Sequence, residues 1–249
     1  MKSVAVIPAR LGSTRLPRKV MADIQGRPLL WHVWSRVKHA ANLDEVYVAT
    51  DSEDIQKAVQ SWGGQAYLTS PECRSGTERI ASLLPVLEAD FILNVQGDEP
   101  LIDPALVDAL VSRWAVDQPE LVTPVYRLSS AEELGSSNVV KVARAADGRA
   151  LYFSRQPIPF VRDQPVKDWL DKTTFWGHVG VYGYRRDILE IYPHLPESKL
   201  EAAEKLEQLR FLEAGYTFQT VETDYRPAAV DTQADLALIR AIFAGIKPD

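Results

Sequence analysis

A short run of aliphatic residues, Val4-Ala5-Val6-Ile7, is the feature that most limits what this chain can fold into. A strand with an apolar side chain at every position must be buried on both faces, which is typical of a strand inside a parallel sheet. In open α/β sheets, ligands bind in the crevice beyond the carboxyl ends of such strands. The residues that follow Ile7 are therefore the first place to look for a binding site.

The rest of the first half repeats this pattern. Strands are predicted at 46–50, 66–68 and 91–95, and helices at 28–40, from Ser52 to about 62, at 77–87 and from 104 onward. Ser52 is a suitable N-cap, and Asp103-Pro104 combines an N-cap with proline in the first helical turn. The alternation predicts an α/β fold of three layers, α/β/α, with a mostly parallel, twisted sheet and helices on both faces.

The second half is less regular. Strands are predicted at 122–128, 139–143, 150–154, 175–184 and 217–221, a turn at 146–149, a surface excursion at 156–173, and helices at 198–214 and 232–243. No repeat, low-complexity tract or linker divides the chain. We therefore expect residues 1–249 to form a single domain, with a small lobe contributed by the second half.

Composition narrows the class of protein. A chain of 249 residues with a net charge of −6 can bury a sizeable core and gives no reason to expect a nucleic-acid partner. Its one cysteine, Cys73, excludes an intrachain disulfide and a multi-cysteine metal site. No apolar stretch approaches the roughly 20 residues of a membrane span, and no signal-peptide pattern is present. We expect a soluble, cytoplasmic protein without a membrane partner.

The loop after the first strand carries four cations, Arg10, Arg15, Arg18 and Lys19, together with Gly12-Ser13. Backbone N–H groups and guanidinium groups in such a loop suit a polyanion such as a triphosphate. The alternative is a solvated basic turn, which the position directly after a buried strand disfavours. The loop lacks both the P-loop pattern and the G-x-G-x-x-G pattern, so side-chain cations and loop amides together would have to hold a nucleotide.

Asp98 follows the fourth predicted strand, in Asn94-Val95-Gln96-Gly97-Asp98-Glu99-Pro100. It faces the same crevice as the basic loop. A carboxylate beside a triphosphate needs a bridging cation, and Mg²⁺ prefers one or two carboxylates with phosphate oxygens and water. The alternative is an aspartate that caps the following turn.

A second carboxylate is available in Asp231, between a strand end and a helix start. The alternative is that Asp231 or Thr232 is simply the N-cap of that helix, with Asp235 in the first turn. The sequence does not by itself bring Asp231 to Asp98.

Other segments carry weaker signals. Ser75-Gly76 opens a helix whose free N–H groups could contact an anion, and Arg79 could add charge there or pair with a neighbouring acid. His178 and Tyr182 alternate with small residues on a predicted strand, a pattern that leaves space for a sugar, although a lone histidine is more often structural. Glu207 and Gln208 share a helix face with Glu204, which could simply be solvated.

Seven segments in order resemble the 3-deoxy-manno-octulosonate (Kdo) cytidylyltransferase family: IPARLGSTRLPRK, SGTERI, NVQGDEP, KVARAADGRALYFSR, GHVGVYGYR, LEAAEKLEQLR and VDTQADL. The resemblance covers nearly the whole chain. It implies the fold of nucleotide-diphospho-sugar transferases and the reaction CTP + Kdo → CMP-Kdo + pyrophosphate, in the service of lipopolysaccharide biosynthesis. It also implies a homodimer.

The same resemblance implies roles for individual residues. Lys19, Asp98 and Asp231 would be catalytic, and Asp98 and Asp231 would hold Mg²⁺. The nucleotide residues would be Ala9, Arg10, Ser13, Arg15, Lys19, Ser75, Gly76 and Arg79. The sugar residues would be Gln96, Arg155, His178, Tyr182, Glu207 and Gln208, with His178 a weaker candidate for a base.

Two departures from the family pattern lie in the first loop, where Arg18 replaces a glycine and Val20 a proline. If that glycine has a positive φ, Arg18 costs roughly 1 kcal/mol of strain. Three alternatives to Kdo activation stay open: activation of another acidic sugar such as 8-amino-Kdo, a glycosyltransferase, and a non-catalytic nucleotide-binding regulator. Gly97-Asp98-Glu99 lacks the D-x-D pattern typical of the glycosyltransferases.

Overall fold

The computed structural model describes residues 1–12 and 15–245. The strands, in chain order, are β1 (Ser3–Ala9), β2 (Asp23–Ile24), β3 (Arg27–Pro28), β4 (Glu45–Thr50), β5 (Gln65–Leu68), β6 (Phe91–Asn94), β7 (Leu121–Arg127), β8 (Lys141–Arg144), β9 (Ala150–Ser154), β10 (Trp176–His178), β11 (Tyr182–Arg185) and β12 (Phe218–Glu222). The α-helices are α1 (Leu29–Val37), α2 (Glu53–Ser61), α3 (Gly76–Ala81), α4 (Pro104–Asp117), α5 (Ala131–Gly135), α6 (Trp169–Lys172), α7 (Arg186–Ile191), α8 (Lys199–Glu204), α9 (Gln208–Glu213) and α10 (Gln233–Phe243).

The first strand lies inside a sheet, as its apolar run predicts. β1 pairs in parallel with β4 on one side and with β6 on the other, and β5 continues the sheet beyond β4. Val4 and Val6 belong to one hydrophobic cluster and Ala5 and Ile7 to another. Because successive side chains of a strand point to opposite faces, the two clusters lie on opposite sides of the sheet. The expected α/β fold with helices on both faces is confirmed.

Helix starts in the first half follow the sequence closely. The Ser52 side chain accepts a hydrogen bond from Ile55 N at the start of α2, and Asp103 accepts one from Ala105 N at the start of α4, which begins with Pro104. Both caps satisfy backbone N–H groups that have no partner within the helix. The helix predicted at 77–87 is shorter, because α3 ends at Ala81 and turns follow it.

The single strand predicted at 175–184 is wrong in one respect, because the chain breaks it into β10 and β11. Both pieces run antiparallel to β7, but β10 has β8 as its other neighbour and β11 has β6. At Gly183 the neighbouring strands approach so closely that a Cβ would lie 2.2 Å from the Phe91 ring. The turn of the β8–β9 hairpin lies at 146–149, as predicted. It contacts β12 through a hydrogen bond from Thr220 N to Gly148 O (2.9 Å).

The long helix predicted at 198–214 is also wrong. Two short helices, α8 and α9, replace it, and Lys205 between them has a left-handed backbone (φ 55°). The break is held by contacts from outside the helix: the Glu204 carboxylate accepts hydrogen bonds from Ser154 Oγ (2.7 Å) and Arg155 N (2.9 Å). The apolar periodicity of this segment is therefore overruled by polar tertiary contacts.

The stretch 156–173 lies mostly at the surface, as predicted, but it is anchored by the buried ring of Trp169, which stacks on Phe175. None of the described helices is long and apolar enough to cross a membrane.

Candidate active site

A cavity of about 430 Å³ opens at the carboxyl end of β1. Its walls come from the loop after β1, the start of α3 and the loop after β6. The lining residues are Pro8, Ala9, Arg10, Gly12, Arg15, Lys19, Val20, Cys73, Arg74, Ser75, Gly76, Arg79, Gln96, Gly97, Asp98, Glu207 and Asp231. This is the crevice that the parallel topology predicts for a ligand.

Four charged side chains meet at the floor of the cavity. Lys19 Nζ lies 2.6 Å from Asp98 Oδ2 and 3.0 Å from Asp231 Oδ1, and Arg15 Nη2 lies 2.9 Å from the same Asp231 oxygen. The Lys19 side chain is only 12% exposed. Its burial lowers the pKa of the ammonium, but the two carboxylates outweigh that effect and raise the pKa above its ordinary value.

The backbone brings the two carboxylates together. Gly97 lets the loop after β6 pass close to β1, since a Cβ there would lie 2.9 Å from Pro8 O. Val230 N then donates a hydrogen bond to Asp98 O (2.9 Å), which places Asp231 beside Asp98. The N-cap of α10 is Thr232, in a capping box with Asp235, so the Asp231 side chain is not used as a cap.

The donor set of this floor fits a hard divalent cation. Two carboxylates that converge on one ammonium group already share a cation between their oxygens, and oxygen ligands are those that Mg²⁺ prefers. Among residues 1–12 and 15–245, no cluster of three or more acidic, histidine or cysteine side chains could hold a metal. Asp98 and Asp231 would therefore need phosphate oxygens and water to complete the coordination.

The residues predicted to contact the nucleotide gather at this cavity. Ala9, Arg10, Arg15, Lys19, Ser75, Gly76 and Arg79 all line it, whereas Ser13 lies outside the described residues. Arg79 is almost fully buried, and its guanidinium pairs with Asp51 (3.0 Å) and donates to Thr69 Oγ1. Pairing with a neighbouring acid, the alternative for Arg79, therefore occurs together with a place in the cavity wall.

Comparison with known proteins identifies the family. A profile of the cytidylyltransferase family matches residues 4–222. The chain is 46% identical over 246 residues to the 3-deoxy-manno-octulosonate cytidylyltransferase of Geotalea daltonii, covering 95% of this chain and 96% of that protein. It is 43% identical over 243 residues to the Escherichia coli protein of the same name, covering 98% and 96%. The chain belongs to the cytidylyltransferase family.

A solved structure agrees over the whole fold. The CTP complex of CMP:2-keto-3-deoxy-manno-octonic acid synthetase superposes with a TM-score of 0.92 at 42% identity, covering 98% of this chain and 99% of that one. The resemblance found in the sequence is thereby confirmed, and the enzyme is a nucleotidyltransferase.

In this cytidylyltransferase, only some of the residues that were predicted to contact the sugar line the cavity. Gln96 and Glu207 line the cavity, but Arg155, His178, Tyr182 and Gln208 do not. The Arg155 guanidinium donates to the carbonyl oxygens of Glu204 (2.7 Å) and Lys205 (3.3 Å) at the break between α8 and α9, and to Ser137 O (2.9 Å) after α5. It is thus engaged with the backbone rather than placed in the cavity.

His178 is buried and neutral. Its Nε2 lies 2.8 Å from Thr123 Oγ1, and that hydroxyl donates its proton to Val181 O, so Nε2 is the protonated nitrogen that donates to Thr123. Burial lowers the pKa of His178 to about 3. A group with so low a pKa is a weak proton acceptor at neutral pH, which argues against the base role considered from the sequence.

Two features of this site were not found from the sequence. Arg74 lines the cavity directly before Ser75, and its position in that hydroxyl-bearing run was the only available signal. Glu99 is buried beside Asp98, where its burial raises the pKa of the carboxyl to about 7; hydrogen bonds from Ala228 and Tyr225 oppose this rise, and the charges of Asp98 and Asp231 add to it. Only its place in the NVQGDEP run pointed to it.

Proposed function

We propose that this cytidylyltransferase transfers CMP from CTP to Kdo, giving CMP-Kdo and pyrophosphate. The observation that carries the proposal is the meeting of Lys19, Asp98 and Asp231 on the floor of the cavity that also collects the predicted nucleotide residues. The identity of 46% and the TM-score of 0.92 to proteins named for this chemistry support it across the whole chain.

In this proposal the anomeric hydroxyl of Kdo forms a bond with the α-phosphorus, while the bond from that phosphorus to the β-phosphate oxygen breaks and pyrophosphate leaves. Such transfers depend chiefly on positioning and on neutralising charge. Arg10, Arg15 and Lys19 supply the positive charge along the triphosphate. Ser75 and Gly76 hold the CMP part at the start of α3, and Ser13 remains a proposed contact from the resemblance.

Asp98 and Asp231 would hold the Mg²⁺ of the reaction. When bound, the metal would neutralise phosphate charge and lower the pKa of the attacking hydroxyl. Lys19 and Arg15 now neutralise the two carboxylates, so these cations would be released toward the triphosphate when the carboxylates gain another cation. His178 is not assigned a proton in this reaction, because it is buried against Thr123.

On the sugar side we propose direct contacts from Gln96 and Glu207, which line the cavity. Gln208 stands behind Glu207, where its Oε1 accepts a hydrogen bond from Tyr182 Oη (3.1 Å). Its buried Nε2 has no hydrogen-bond partner among the described residues, so this donor remains available to a ligand or to water. Arg155, His178 and Tyr182 would support that wall.

The test is pyrophosphate release from CTP and Kdo, with Mg²⁺ and with EDTA, for the wild type and Asp98→Ala. We expect metal-dependent turnover that collapses in Asp98→Ala. Asp54→Ala is a matched control, because Asp54 pairs with exposed Arg18 and does not line the cavity. CTP binding without turnover on Kdo would favour another acidic sugar such as 8-amino-Kdo. Binding without turnover on any acidic sugar would indicate a regulator, and no CTP binding would refute the proposal.

We further propose, from the resemblance, that the enzyme works in the cytoplasm as a homodimer and that its product serves lipopolysaccharide biosynthesis. Light scattering coupled to size exclusion would test the dimer, with the mass of a monomer as the refuting result. Loss of Kdo from lipopolysaccharide after depletion of the enzyme would test the pathway.

A further inference from the structure

Glu99 contacts the segment that leads to Asp231, and the role argued here for Glu99 rests on the proposed metal role of Asp98 and Asp231. Residues 223–231, between β12 and α10, contain neither helix nor strand. A segment without a ladder of backbone hydrogen bonds depends on individual contacts for its position. We propose that Glu99 is a positioning residue, which fixes Asp231 opposite Asp98 by accepting two hydrogen bonds from this segment.

The geometry of Glu99 suits this role. Its side chain is buried, and Oε2 accepts hydrogen bonds from Tyr225 Oη (2.9 Å) and from Ala228 N (3.0 Å). One carboxylate oxygen thus holds the segment at a side chain and at a backbone amide three residues further on. Loss of such a buried acceptor is costly, because it leaves the two donors without a partner.

Glu99 and its neighbour Asp98 contact adjacent parts of the same segment, Glu99 through its side chain and Asp98 through its backbone. Glu99 holds Ala228, and the backbone oxygen of Asp98 accepts a hydrogen bond from Val230 N (2.9 Å). Asp231 follows Val230 directly. The two proposed metal ligands are therefore linked by a short path, from the backbone of Asp98 through its hydrogen bond with Val230 to Asp231.

Another anchor of the segment lies farther from Asp231 and provides a control. Arg226 pairs with Glu133 (2.6 Å) and donates to Ser129 Oγ (3.3 Å) near the surface. Glu133 is thus a second glutamate that accepts a hydrogen bond from the same segment. It does not line the cavity.

Glu99 does not act here as a third metal carboxylate. No group of three acidic, histidine or cysteine side chains within the described parts of the chain is arranged to hold a metal. The role of Glu99 is that of an acceptor, so an uncharged acceptor of the same shape would perform it. Glutamine keeps an oxygen that can accept both hydrogen bonds.

The experiment measures Mn²⁺ affinity of the whole protein with CTP bound and no sugar present, from the EPR signal of free Mn²⁺. We expect Glu99→Ala to weaken Mn²⁺ binding by about tenfold or more, the usual effect of losing a group that orients a metal ligand. Glu99→Gln should stay within about threefold of the wild type, and Glu133→Ala should leave the affinity unchanged. Tyr225→Phe, which removes one of the two donors, should give a smaller loss in the same direction and keeps the test open if Glu99→Ala fails to fold.

A kinetic readout separates positioning from general damage. For Glu99→Ala the Mg²⁺ concentration at half-maximal rate should rise, while kcat at saturating Mg²⁺ and KM for CTP stay near the wild-type values. Unchanged Mn²⁺ affinity in Glu99→Ala and Tyr225→Phe would overturn the proposal. Equal losses in Glu99→Gln and Glu99→Ala would also overturn it, because the charge rather than the acceptor would then matter, and so would an equal loss in Glu133→Ala.

Mn²⁺ binding by Asp231→Asn distinguishes a wrong metal assignment from a wrong role for Glu99. If Asp231→Asn binds Mn²⁺ as tightly as the wild type, the carboxylate pair is not the metal site, and the role of Glu99 falls with it. If Asp231→Asn loses Mn²⁺ but Glu99→Ala does not, only the positioning role is refuted.

Discussion

The predicted nucleotide residues and the predicted sugar residues fare differently in the structure. Every described member of the nucleotide set lines one cavity, whereas only Gln96 and Glu207 of the sugar set do so. The nucleotide set lies in loops directly after parallel strands or at the start of α3. Gln96 also lies in such a loop, after β6. The other sugar residues lie on β10, β11 and α9 or directly beside β9 and α9, and their placement depends on strand breaks and on a helix break.

The position of a loop at the end of a buried parallel strand can therefore be predicted from the sequence. The strand fixes where the loop begins, and the sheet fixes which edge it reaches. Residues on a broken helix have no neighbouring strand that fixes their position in this way. Glu207 reaches the cavity only because Lys205 turns the chain and Arg155 holds that turn.

The largest effect is expected from Lys19→Met, which tests whether the gathered nucleotide residues work in the reaction. Removal of the ammonium leaves Asp98 and Asp231 without their shared cation and the triphosphate without one donor. We expect kcat/KM for CTP to fall about 10²–10³-fold, as for loss of one transition-state donor. Pyrophosphate release under steady-state conditions measures it.

The matched control for Lys19→Met is Arg18→Met. Arg18 is a cation of the same loop, but its side chain is exposed and pairs with Asp54 instead of lining the cavity. We expect its activity to stay within threefold of the wild type. A Lys19→Met variant that also stays within threefold would show that the cavity collects these residues without using them.

A smaller effect is expected from Arg155→Met, which tests whether a sugar residue outside the cavity acts through the helix break. Loss of the two hydrogen bonds to Glu204 O and Lys205 O should loosen the turn that precedes Glu207. We expect KM for Kdo to rise about tenfold, less than the roughly 10²-fold that a 1 Å misplacement can cost. KM for CTP should stay within twofold.

Arg149→Met is the control for Arg155→Met, because Arg149 is an exposed arginine that pairs with Asp147 at the β8–β9 turn. It should leave both KM values unchanged. If Arg155→Met raised both KM values equally, the two sides of the site would not be separable in the way that the comparison suggests.

His178→Gln tests whether His178 is structural. Because burial lowers its pKa to about 3, an unfolded chain binds a proton between pH 6.5 and pH 3 that the folded chain does not. The free energy of unfolding should therefore fall with pH below 6.5, by up to about 1.4 kcal/mol per pH unit from this group.

The variant should lose that part of the pH dependence, and above pH 7 the two proteins should show the same slope. Urea unfolding at several pH values between 4.5 and 7.5 measures the difference. Parallel stability curves for the wild type and His178→Gln across this range would show that His178 is not buried in its neutral form.

The smallest effect is expected from Arg18→Gly, in the first loop. Arg18 has a left-handed backbone (φ 55°), as the glycine found there in the family would suggest. Glycine would relieve strain of roughly 1 kcal/mol, partly offset by the greater freedom of its unfolded chain. We expect thermal unfolding to show a gain of up to about 1 kcal/mol.

Arg18→Ala controls for the lost side chain, because alanine removes the exposed pair with Asp54 but keeps the strained backbone. Such an exposed pair contributes little. Equal stability of the glycine and alanine variants would indicate that the backbone at this position is not strained.

The elements of the first half were predicted well because their starts depend on residues that are neighbours in the sequence. Ser52 and Asp103 cap their helices as the sequence indicates, since a cap needs only the next three residues. The long helix at 198–214 was predicted wrongly for the opposite reason. Its apolar spacing is helical throughout, and the contacts that break it come from Ser154 and Arg155, some 50 residues away.

The sequence by itself determined the parallel sheet, the place of the cavity and the chemistry of its basic loop. A buried strand and the loop that follows it are adjacent in the sequence, so their residues can be recognised together. Only the tertiary structure decided that Asp231 meets Asp98 and Lys19. Those residues are brought together by the hydrogen bond from Val230 to Asp98 and by the two bonds to Glu99. A segment without regular structure has no periodicity in which such a position could be read, so its place is set by contacts alone.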